Sequence, residues 1–300
     1  MKLTDFISLA DLTTQDLLEL LALADELKLE HAGGGGSRPL AGRVVAMLFE
    51  KPSLRTRMTF ETGIYQMGGK SIFYEDRLGD REPVPDIARN LERWVDAIVA
   101  RTFAHASVLE LAEYAGIPVV NALTDKLHPC QVVADAQTLR EHGRDLDGLK
   151  VAFVGDGNNV FASWACLAAK ISIRLVLVCP EGYGPDADIL EYGRANGDVD
   201  VTHDIKQGAA GADVIYTDVW ASMGQEMEHA ARCRAFAPYQ VTADMMALAS
   251  GDVLFMHCLP AHRGEEVAPE VIDGPRSIVF DQAENRLHAQ KAIMASLFGG

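Results

Sequence analysis

The chain has 300 residues, of which 48% are apolar, and its 43 acidic and 27 basic residues give a formal net charge of −16. This length suits two domains of about 150 residues each, and the acidic balance argues against binding to nucleic acid or to anionic membranes. No apolar run reaches the roughly 18 residues of a membrane span, and the start Met1–Asp5 is polar. We therefore expect a soluble protein that has no signal peptide and does not contact membranes.

The first predicted element is a Leu-rich helix from Thr13 or Thr14 to about Glu30, followed by a surface loop at Gly33–Gly36. After it, short apolar runs alternate with helical patterns. The runs are VVAMLF, SIFYE, AIVAR, IPVVNA, KVAFVGD, LVLVCP, DVIYTDV, DVLFMHCLP and SIVFDQ. Continuous apolar strands separated by amphipathic helices predict parallel sheets that are covered on both faces, so the fold class is α/β with two doubly wound domains.

The helical segment Pro129–Glu141 precedes a fresh strand, and this position divides the chain into predicted domains 1–135 and 136–285. The last predicted helix, Leu287–Leu297, is followed by no further strand of the second domain on which it could pack. We expect it, within residues 286–300, to pack back on the first domain.

The segment Ser53–Arg57 follows the first buried strand and opens a helix whose apolar face is Phe60, Ile64 and Met67. A helix start presents unpaired N–H groups and the positive end of the macrodipole, and this one adds two guanidinium groups and two hydroxyls. The alternative is that the arginines are solvated charges and Ser53 is only an N-cap. Because Ser-Leu-Arg-Thr-Arg concentrates donors, we predict a site for a phosphoryl group.

Polar groups follow five predicted strands, where ligands bind in open parallel sheets. They are Arg101, His128–Gln131, Asp156–Asn159, Asp218 and His257–Pro260. Pro129 is predicted at the first position of a helix, which would point His128 and Gln131 toward the phosphoryl pocket. The alternative is a capping histidine beside a surface glutamine.

Two glycine-containing segments suggest different ligands. Gly155-x-Gly157 resembles a dinucleotide motif, but Val160 replaces the third glycine and no acidic residue follows the next strand, so we predict no nicotinamide binding. The segment Asp218–Gly224 combines a carboxylate, a hydroxyl and a flexible glycine, which suits an amino acid whose α-ammonium meets Asp218. An ordinary capped turn is the alternative.

The five cysteines are unevenly spaced and include no Cys-x-x-Cys pair, a pattern typical of reduced cytoplasmic thiols. Residues that could be ligands of a metal ion are His128, Cys130, His257, Cys258 and His262. Adjacent residues rarely chelate one ion together, and Cys-x₂-Cys or His-x₃-His spacing is absent, so the sequence predicts no metal.

Together these segments resemble the ornithine carbamoyltransferase family, within the aspartate/ornithine carbamoyltransferase superfamily. The motifs occur in the family's order from Ser53 to Arg286. They are Ser53–Arg57, Arg101, His128–Gln131, Asp156–Asn159, Asp218–Gly224, His257–Pro260 and Glu284–Arg286. The resemblance implies a carbamoyl-phosphate-binding first domain, an ornithine-binding second domain and an active site in the cleft between them.

The resemblance also implies the role of each residue. The phosphate would be bound by Ser53, Leu54, Arg55, Thr56 and Arg57. The carbamoyl group would be held by Arg101, His128, Gln131, Cys258, Leu259 and Arg286. Ornithine would be held by Asn159, Asp218, Ser222 and Met223, and catalysis would depend on Arg55, Arg101, His128 and Cys258.

The implied reaction transfers the carbamoyl group to the δ-amine of L-ornithine and yields L-citrulline and phosphate, a step of arginine biosynthesis or, run backwards, of arginine breakdown. A neutral amine attacks, and a tetrahedral oxyanion held by Thr56, Arg101 and His128 expels phosphate. Positioning and electrostatics can supply the rate, so no cofactor or covalent intermediate is expected. Cys258 would orient the amine as a thiol or thiolate. The alternative is that Cys258 only packs at the strand end as a small buried apolar side chain.

The segment Glu82–Ala88 departs from the family, which usually has a loop near Glu-Ser-x-x-Asp-Thr-Ala that reaches a neighbouring subunit's active site. Pro83 and Pro85 are expected to stiffen this loop, and Pro83 and Ile87 remove two hydroxyls. Arg77 either donates to a neighbour's phosphate or is a surface charge. Family members are typically trimers, so the expected assembly is a homotrimer or a multiple of trimers.

Other substrates and functions remain as alternatives. An aspartate site needs extra cations, and putrescine has no α-carboxylate for the Asp218–Gly224 segment, whereas an N-acylated ornithine is kept open by the altered Glu82–Ala88 loop. A non-catalytic relative that senses an amino acid or phosphate would be expected to lose Arg101, His128 or Cys258, and all three are present.

Overall fold

The computed structural model describes residues 2–221 and 226–299. It divides into two compact units, unit 1 (Met1–Gln137 with Glu284–Gly300) and unit 2 (Thr138–Ala283). Each unit contains one parallel β-sheet with helices in the connections, so the predicted α/β class with two parallel-sheet domains is confirmed.

Unit 1 contains a four-stranded parallel sheet of order β2-β1-β3-β4. Its elements in chain order are α1 (Thr14–Ala32), β1 (Val44–Phe49), α2 (Leu54–Gln66), β2 (Lys70–Glu75), α3 (Val84–Leu91), β3 (Ala97–Arg101), α4 (His105–Tyr114), β4 (Val119–Leu123) and α5 (Pro129–Glu141). The central strands β1 and β3 are almost wholly buried, whereas the edge strand β2 is largely exposed. The predicted cap of α1 is confirmed, since the Thr13 hydroxyl accepts from the Asp16 N–H and the Asp16 carboxylate accepts from the Thr13 N–H.

Unit 2 contains a five-stranded parallel sheet of order β7-β6-β5-β8-β9. Its elements are β5 (Lys150–Val154), α6 (Asn159–Ala168), β6 (Arg174–Val178), α7 (Ala187–Asn196), β7 (Asp198–Thr202), α8 (Ile205–Ala209), β8 (Val214–Thr217), α9 (His229–Phe236), α10 (Ala243–Met246), β9 (Leu254–His257) and α11 (Pro269–Ile272). The strand order reverses at β5, whose neighbours are β6 and β8, and at such a reversal the strand ends leave a crevice for a ligand. The last helix, α12 (Val279–Leu297), begins in unit 2 and ends in unit 1.

Two strand predictions differ from the structure. The run SIVFDQ was predicted as a strand, but only Ser277 makes an isolated bridge, with Phe255, and α12 begins at Val279. A short apolar run does not distinguish a strand from a helix start, and Asp281 in the first turn favours the helix. Conversely, β7 was missed because this edge strand alternates aspartate and valine and so lacks a continuous apolar run.

The predicted loop at Glu82–Ala88 is also different. Pro83 is the N-cap of α3, and residues 84–88 already form its first turns. Proline is compatible with the start of a helix because the N–H groups there have no partner within the helix. Among the described helices, none is long and apolar enough to cross a membrane.

Candidate active site

The turn after β1 leads directly into the N-terminus of α2. Ser53 has an extended backbone and caps the helix, since its hydroxyl accepts from the Thr56 N–H at 3.3 Å. Leu54 is 76% exposed and its side chain is apolar. It can therefore hydrogen-bond an anion only through its backbone N–H. This helix start is thus an anion site built from N–H groups and the helix dipole.

A buried network of donors lies behind this helix start. Thr56 Oγ1 accepts from Arg286 Nη2 at 3.1 Å and from Arg101 Nη1 at 3.4 Å. Arg286 Nη1 donates to Gln131 Oε1 at 2.6 Å, and Gln131 Nε2 donates to Asp135 Oδ1 at 2.8 Å. All five residues are buried, so two guanidinium groups are held in a low-dielectric setting where their attraction for an anion is large.

His128 lies directly before α5 and is 5% exposed. Its pKa is held well below its usual value, first by burial and then by the guanidinium groups of Arg286, Arg101 and Arg55. Three predicted arginines thus contribute to the positive electrostatic surroundings of His128. The imidazole is neutral at physiological pH and can hydrogen-bond a carbonyl oxygen without adding charge.

Arg57 is placed differently from the other predicted phosphate ligands. Its Nε donates to Glu61 at 3.0 Å, and its guanidinium lies over the Phe73 ring at 3.7 Å from the centroid. The side chain is about half exposed, so it forms a surface ion pair on α2.

In unit 2 the candidate site centres on Asp218, which follows β8 and is 7% exposed. Its carboxylate accepts from Asn158 Nδ2 at 2.7 Å, from the Val219 N–H at 2.8 Å and from the Cys258 thiol at 2.9 Å. Asn158 also caps α6 through its Oδ1. The ends of β5, β8 and β9 therefore converge on one carboxylate.

Cys258 and Leu259 lie in unit 2, whereas the other predicted carbamoyl-phosphate residues lie in unit 1. The Leu259 N–H donates to His257 Nδ1 at 2.8 Å, and His257 Nε2 lies 3.1 Å from the fully buried Glu266. Because Nδ1 accepts, the proton is on Nε2, and it is donated to Glu266. This chain of bonds fixes Leu259 in the left-handed region (φ 57°) directly after Cys258.

The remaining predicted ornithine residues are Asn159, Ser222 and Met223. Asn159 begins α6, next to Asn158. Ser222 and Met223 lie outside the residues that the structure describes.

Gly157 is explained by packing. A Cβ at this position would lie 2.3 Å from the backbone nitrogen of Pro185, and the Gly157 N–H donates to the Tyr183 carbonyl. The glycine is needed because another backbone segment passes close to it.

Comparison with known proteins follows the same division of the chain. The family model described as "Aspartate/ornithine carbamoyltransferase, carbamoyl-P binding domain" matches residues 4–141, and the one described as "Aspartate/ornithine carbamoyltransferase, Asp/Orn binding domain" matches residues 147–297. The chain belongs to the aspartate/ornithine carbamoyltransferase family.

Individual members of this family are similar over nearly the whole chain. An ornithine carbamoyltransferase of Chlorobaculum tepidum is 50% identical, covering 99% of this chain and 90% of that protein. One of Carboxydothermus hydrogenoformans is 50% identical, covering 98% and 97%. A solved structure of ornithine carbamoyltransferase from Pyrococcus furiosus has a TM-score of 0.95 at 45% identity, covering 99% of this chain and 97% of that chain.

Sequence reasoning missed two residues that position the site of this family member. Glu266 orients His257, and Arg232, on α9, joins the loops after β5 and β8: its Nη1 donates to Asp156 at 2.8 Å and to the Trp220 carbonyl at 3.2 Å. The sequence offers a weak signal for Arg232, since it lies four residues after Glu228, with which it also pairs at 2.9 Å.

His128 is expected to make the stability of this carbamoyltransferase-family protein fall in mild acid. Because its folded pKa is depressed, the unfolded state binds more protons below about pH 6.5, so stability is complete above that pH and is lost as the pH falls. The loss attributable to His128 approaches about 1.4 kcal/mol per pH unit. Urea denaturation of wild type and His128→Gln from about pH 7.5 to 5.5, at one protein concentration, measures it.

The variant should show a shallower decline over this range. A decline of equal slope in both proteins would contradict the depressed pKa. Burial also lowers the pKa of His288, to about 3, which acts in the same direction and leaves a residual slope in His128→Gln.

Replacing Arg232 with Gln is expected to destabilise unit 2 by about 3 kcal/mol, because the nearly buried Asp156 carboxylate loses its cation. Burial already raises the pKa of Asp156 despite Arg232. Urea denaturation measures the loss, and Asp156→Asn in the Arg232→Gln background should recover part of it. Arg234→Gln, an exposed arginine on the same helix, is the matched control and should cost less than about 0.5 kcal/mol.

If the Arg232→Gln variant is as stable as Arg234→Gln, the ion pair between Arg232 and Asp156 contributes nothing to the free energy of unfolding.

Proposed function

We propose that this chain transfers the carbamoyl group of carbamoyl phosphate to the δ-amine of L-ornithine and forms L-citrulline and phosphate. The observation that carries the proposal is the buried group of donors in which Arg101 and Arg286 meet at Thr56, beside a neutral His128 and the N-terminus of α2. Such a group of donors suits a phosphorylated carbonyl compound. Membership of the family, and relatives at 50% identity named ornithine carbamoyltransferase, support the choice of substrates.

Residues 1–135, with the C-terminal helix, are proposed to bind carbamoyl phosphate. The phosphate would lie on the first N–H groups of α2 with Ser53 and Arg55, and the carbonyl oxygen would accept from Thr56, Arg101 and His128. Gln131 Nε2 donates one hydrogen to Asp135 and Oε1 accepts from Arg286, so this oxygen keeps a second lone pair for the carbamoyl NH₂ group.

Residues 136–285 are proposed to bind ornithine. A carboxylate has about four acceptor sites, and three donors reach Asp218, which leaves capacity for a substrate ammonium. Asn159, Ser222 and Met223 are proposed to hold the rest of the α-amino and α-carboxylate groups, and Cys258 with the Leu259 carbonyl to lie beside the δ-amine.

The chemistry follows from these positions. The δ-ammonium first loses a proton, and the neutral amine then forms a C–N bond to the carbonyl carbon. The oxyanion of the tetrahedral intermediate is stabilised by Arg101, Thr56 and His128, after which the C–O bond to phosphate breaks. The amine's second proton leaves with the phosphate, so the products are citrulline and HPO₄²⁻ and no cofactor is consumed.

A steady-state assay with carbamoyl phosphate and a panel of acceptors tests the proposal. The acceptors are ornithine, acetylornithine, succinylornithine, putrescine and aspartate, and released phosphate is the common readout. Saturable turnover with ornithine alone is expected. Preference for an acylated ornithine would replace the proposed substrate, and no turnover with any acceptor would overturn the enzymatic function.

We also propose that the chain assembles as a homotrimer or a multiple of trimers, with a segment of a neighbouring subunit near the site. The resemblance to a family of trimers supports this, as do exposed apolar side chains at the edge strand β2 and beyond, Ile72, Tyr74 and Trp94. These three side chains line a pocket of about 380 Å³ in unit 1. Light scattering on the protein as it elutes from a size-exclusion column measures the mass of the assembly. This mass should be three times the 32.6 kDa chain mass, or a multiple of that value.

A further inference from the structure

A second group of reactive side chains lies in unit 2 apart from Asp218 and Cys258. It consists of His229, Cys233 and Glu265, which we name the α9 cluster. Cys233 Sγ lies 3.6 Å from His229 Nε2 and 3.8 Å from Glu265 Oε2. Glu265 Oε2 lies 3.2 Å from His229 Nε2 and 3.7 Å from His262 Nδ1.

The chain positions these groups from two elements. His229 and Cys233 are one turn apart on α9, so they project from the same face of the helix. Glu265 lies in the segment after β9. The Gln240 side chain donates to the Glu265 carbonyl at 2.7 Å. This bond fixes the segment after β9 against the residues that follow α9.

The separations match those of a metal site. A tetrahedral ion whose ligands lie at about 2.0–2.3 Å holds its ligand atoms about 3.3–3.8 Å apart. The three distances among His229, Cys233 and Glu265 are 3.2, 3.6 and 3.8 Å. One thiol, one imidazole and one carboxylate form a donor set suited to Zn²⁺ and related transition ions, and unsuited to Mg²⁺ or Ca²⁺.

We propose that the α9 cluster binds one divalent transition-metal ion of the zinc type, through Cys233, His229 and Glu265. Three protein ligands leave the fourth position of a tetrahedral ion to water. The ion links α9 to the segment after β9, the same segment in which Glu266 holds His257. This inference does not depend on the proposed carbamoyl transfer.

Binding requires a proton to leave. Burial, with the Glu265 carboxylate as a further cause, raises the pKa of Cys233, so the thiol is protonated in the absence of an ion. On binding, the S–H bond breaks, the sulfur–metal bond forms and the proton passes to solvent.

Neither Cys-x₂-Cys nor His-x₃-His spacing marks this site in the sequence. His229 and Cys233 form a His-x₃-Cys pair, which chelates on a helix for the same geometric reason. Their partner Glu265 comes from about thirty residues further along the chain, and only the fold brings it close.

Titration of the full chain with Co²⁺ tests the proposal, because thiolate–cobalt bonding gives a near-ultraviolet charge-transfer band and a tetrahedral site gives intense visible bands. We expect both bands to saturate at one Co²⁺ per chain. Cys233→Ser should abolish the charge-transfer band, and His229→Gln should weaken binding more than about tenfold. The circular dichroism spectrum of each variant confirms folding.

Cys258→Ser is the matched control, since Asp218, His257 and Cys258 form another group of possible ligands. The bands should survive in this variant. Bands that persist in Cys233→Ser, that vanish in Cys258→Ser or that never form in the wild type would each overturn the proposed site.

Discussion

Replacing Arg101 with Gln is expected to lower kcat for citrulline formation by about 10²–10³-fold. Arg101 ends β3, is 7% exposed, and shares the Thr56 hydroxyl with Arg286. The negative charge on the carbonyl oxygen develops only in the transition state, so the loss should fall on kcat more than on the KM for carbamoyl phosphate. Initial-rate kinetics with both substrates varied measures the two parameters separately.

Two variants make the Arg101 result specific. Arg43→Gln removes an exposed arginine of unit 1 that pairs with Asp96 at 2.6 Å, and its kcat should stay within about twofold of wild type. Arg101→Lys keeps the charge but loses the planar fork, so its kcat should lie between those of the glutamine variant and the wild type. A folded Arg101→Gln variant with wild-type kcat would remove Arg101 from the transition state.

Replacing Asp218 with Asn is expected to lower kcat/KM for ornithine by about 10²-fold or more, because the buried carboxylate that we propose to face the substrate ammonium becomes neutral. The asparagine has nearly the same shape, but its NH₂ group must face one of the donors that now reach the carboxylate. Saturation kinetics with ornithine at fixed carbamoyl phosphate measures the change.

Asp200→Asn is the matched control. Asp200 lies on β7, is about half exposed and pairs with Arg194, so ornithine kinetics should be unchanged. If Asp218→Asn raises the KM for carbamoyl phosphate and leaves that for ornithine intact, the assignment of Asp218 to the amino-acid substrate is wrong.

Patterns within about one helical turn predicted much of the fold and part of the site. The Thr13 cap, the start of α2 at Ser53 and the position of Pro129 depend on neighbouring residues, and each is confirmed. Helix geometry also explains the position of Arg57. Residues 55 and 57 of one helix differ by about 200° around its axis, so their side chains point in nearly opposite directions. In the structure Arg57 contacts Glu61 and Phe73.

Local patterns were insufficient where two structures share one pattern. SIVFDQ suits a strand or a helix start, and in the structure α12 begins within it, at Val279. β7 adds an edge to a sheet that already buries its centre, so it needs few apolar residues.

The residue types of the candidate site were visible in the sequence, because phosphate and amino-acid recognition require arginines, a histidine and a carboxylate whatever the fold. Their partners were not. Arg286 reaches Thr56 across 230 residues, Arg232 reaches Asp156 across 76, and Glu265 meets Cys233 across 32. No local propensity encodes such pairs, since they form only when burial of the apolar strands brings distant loops to the same end of a sheet.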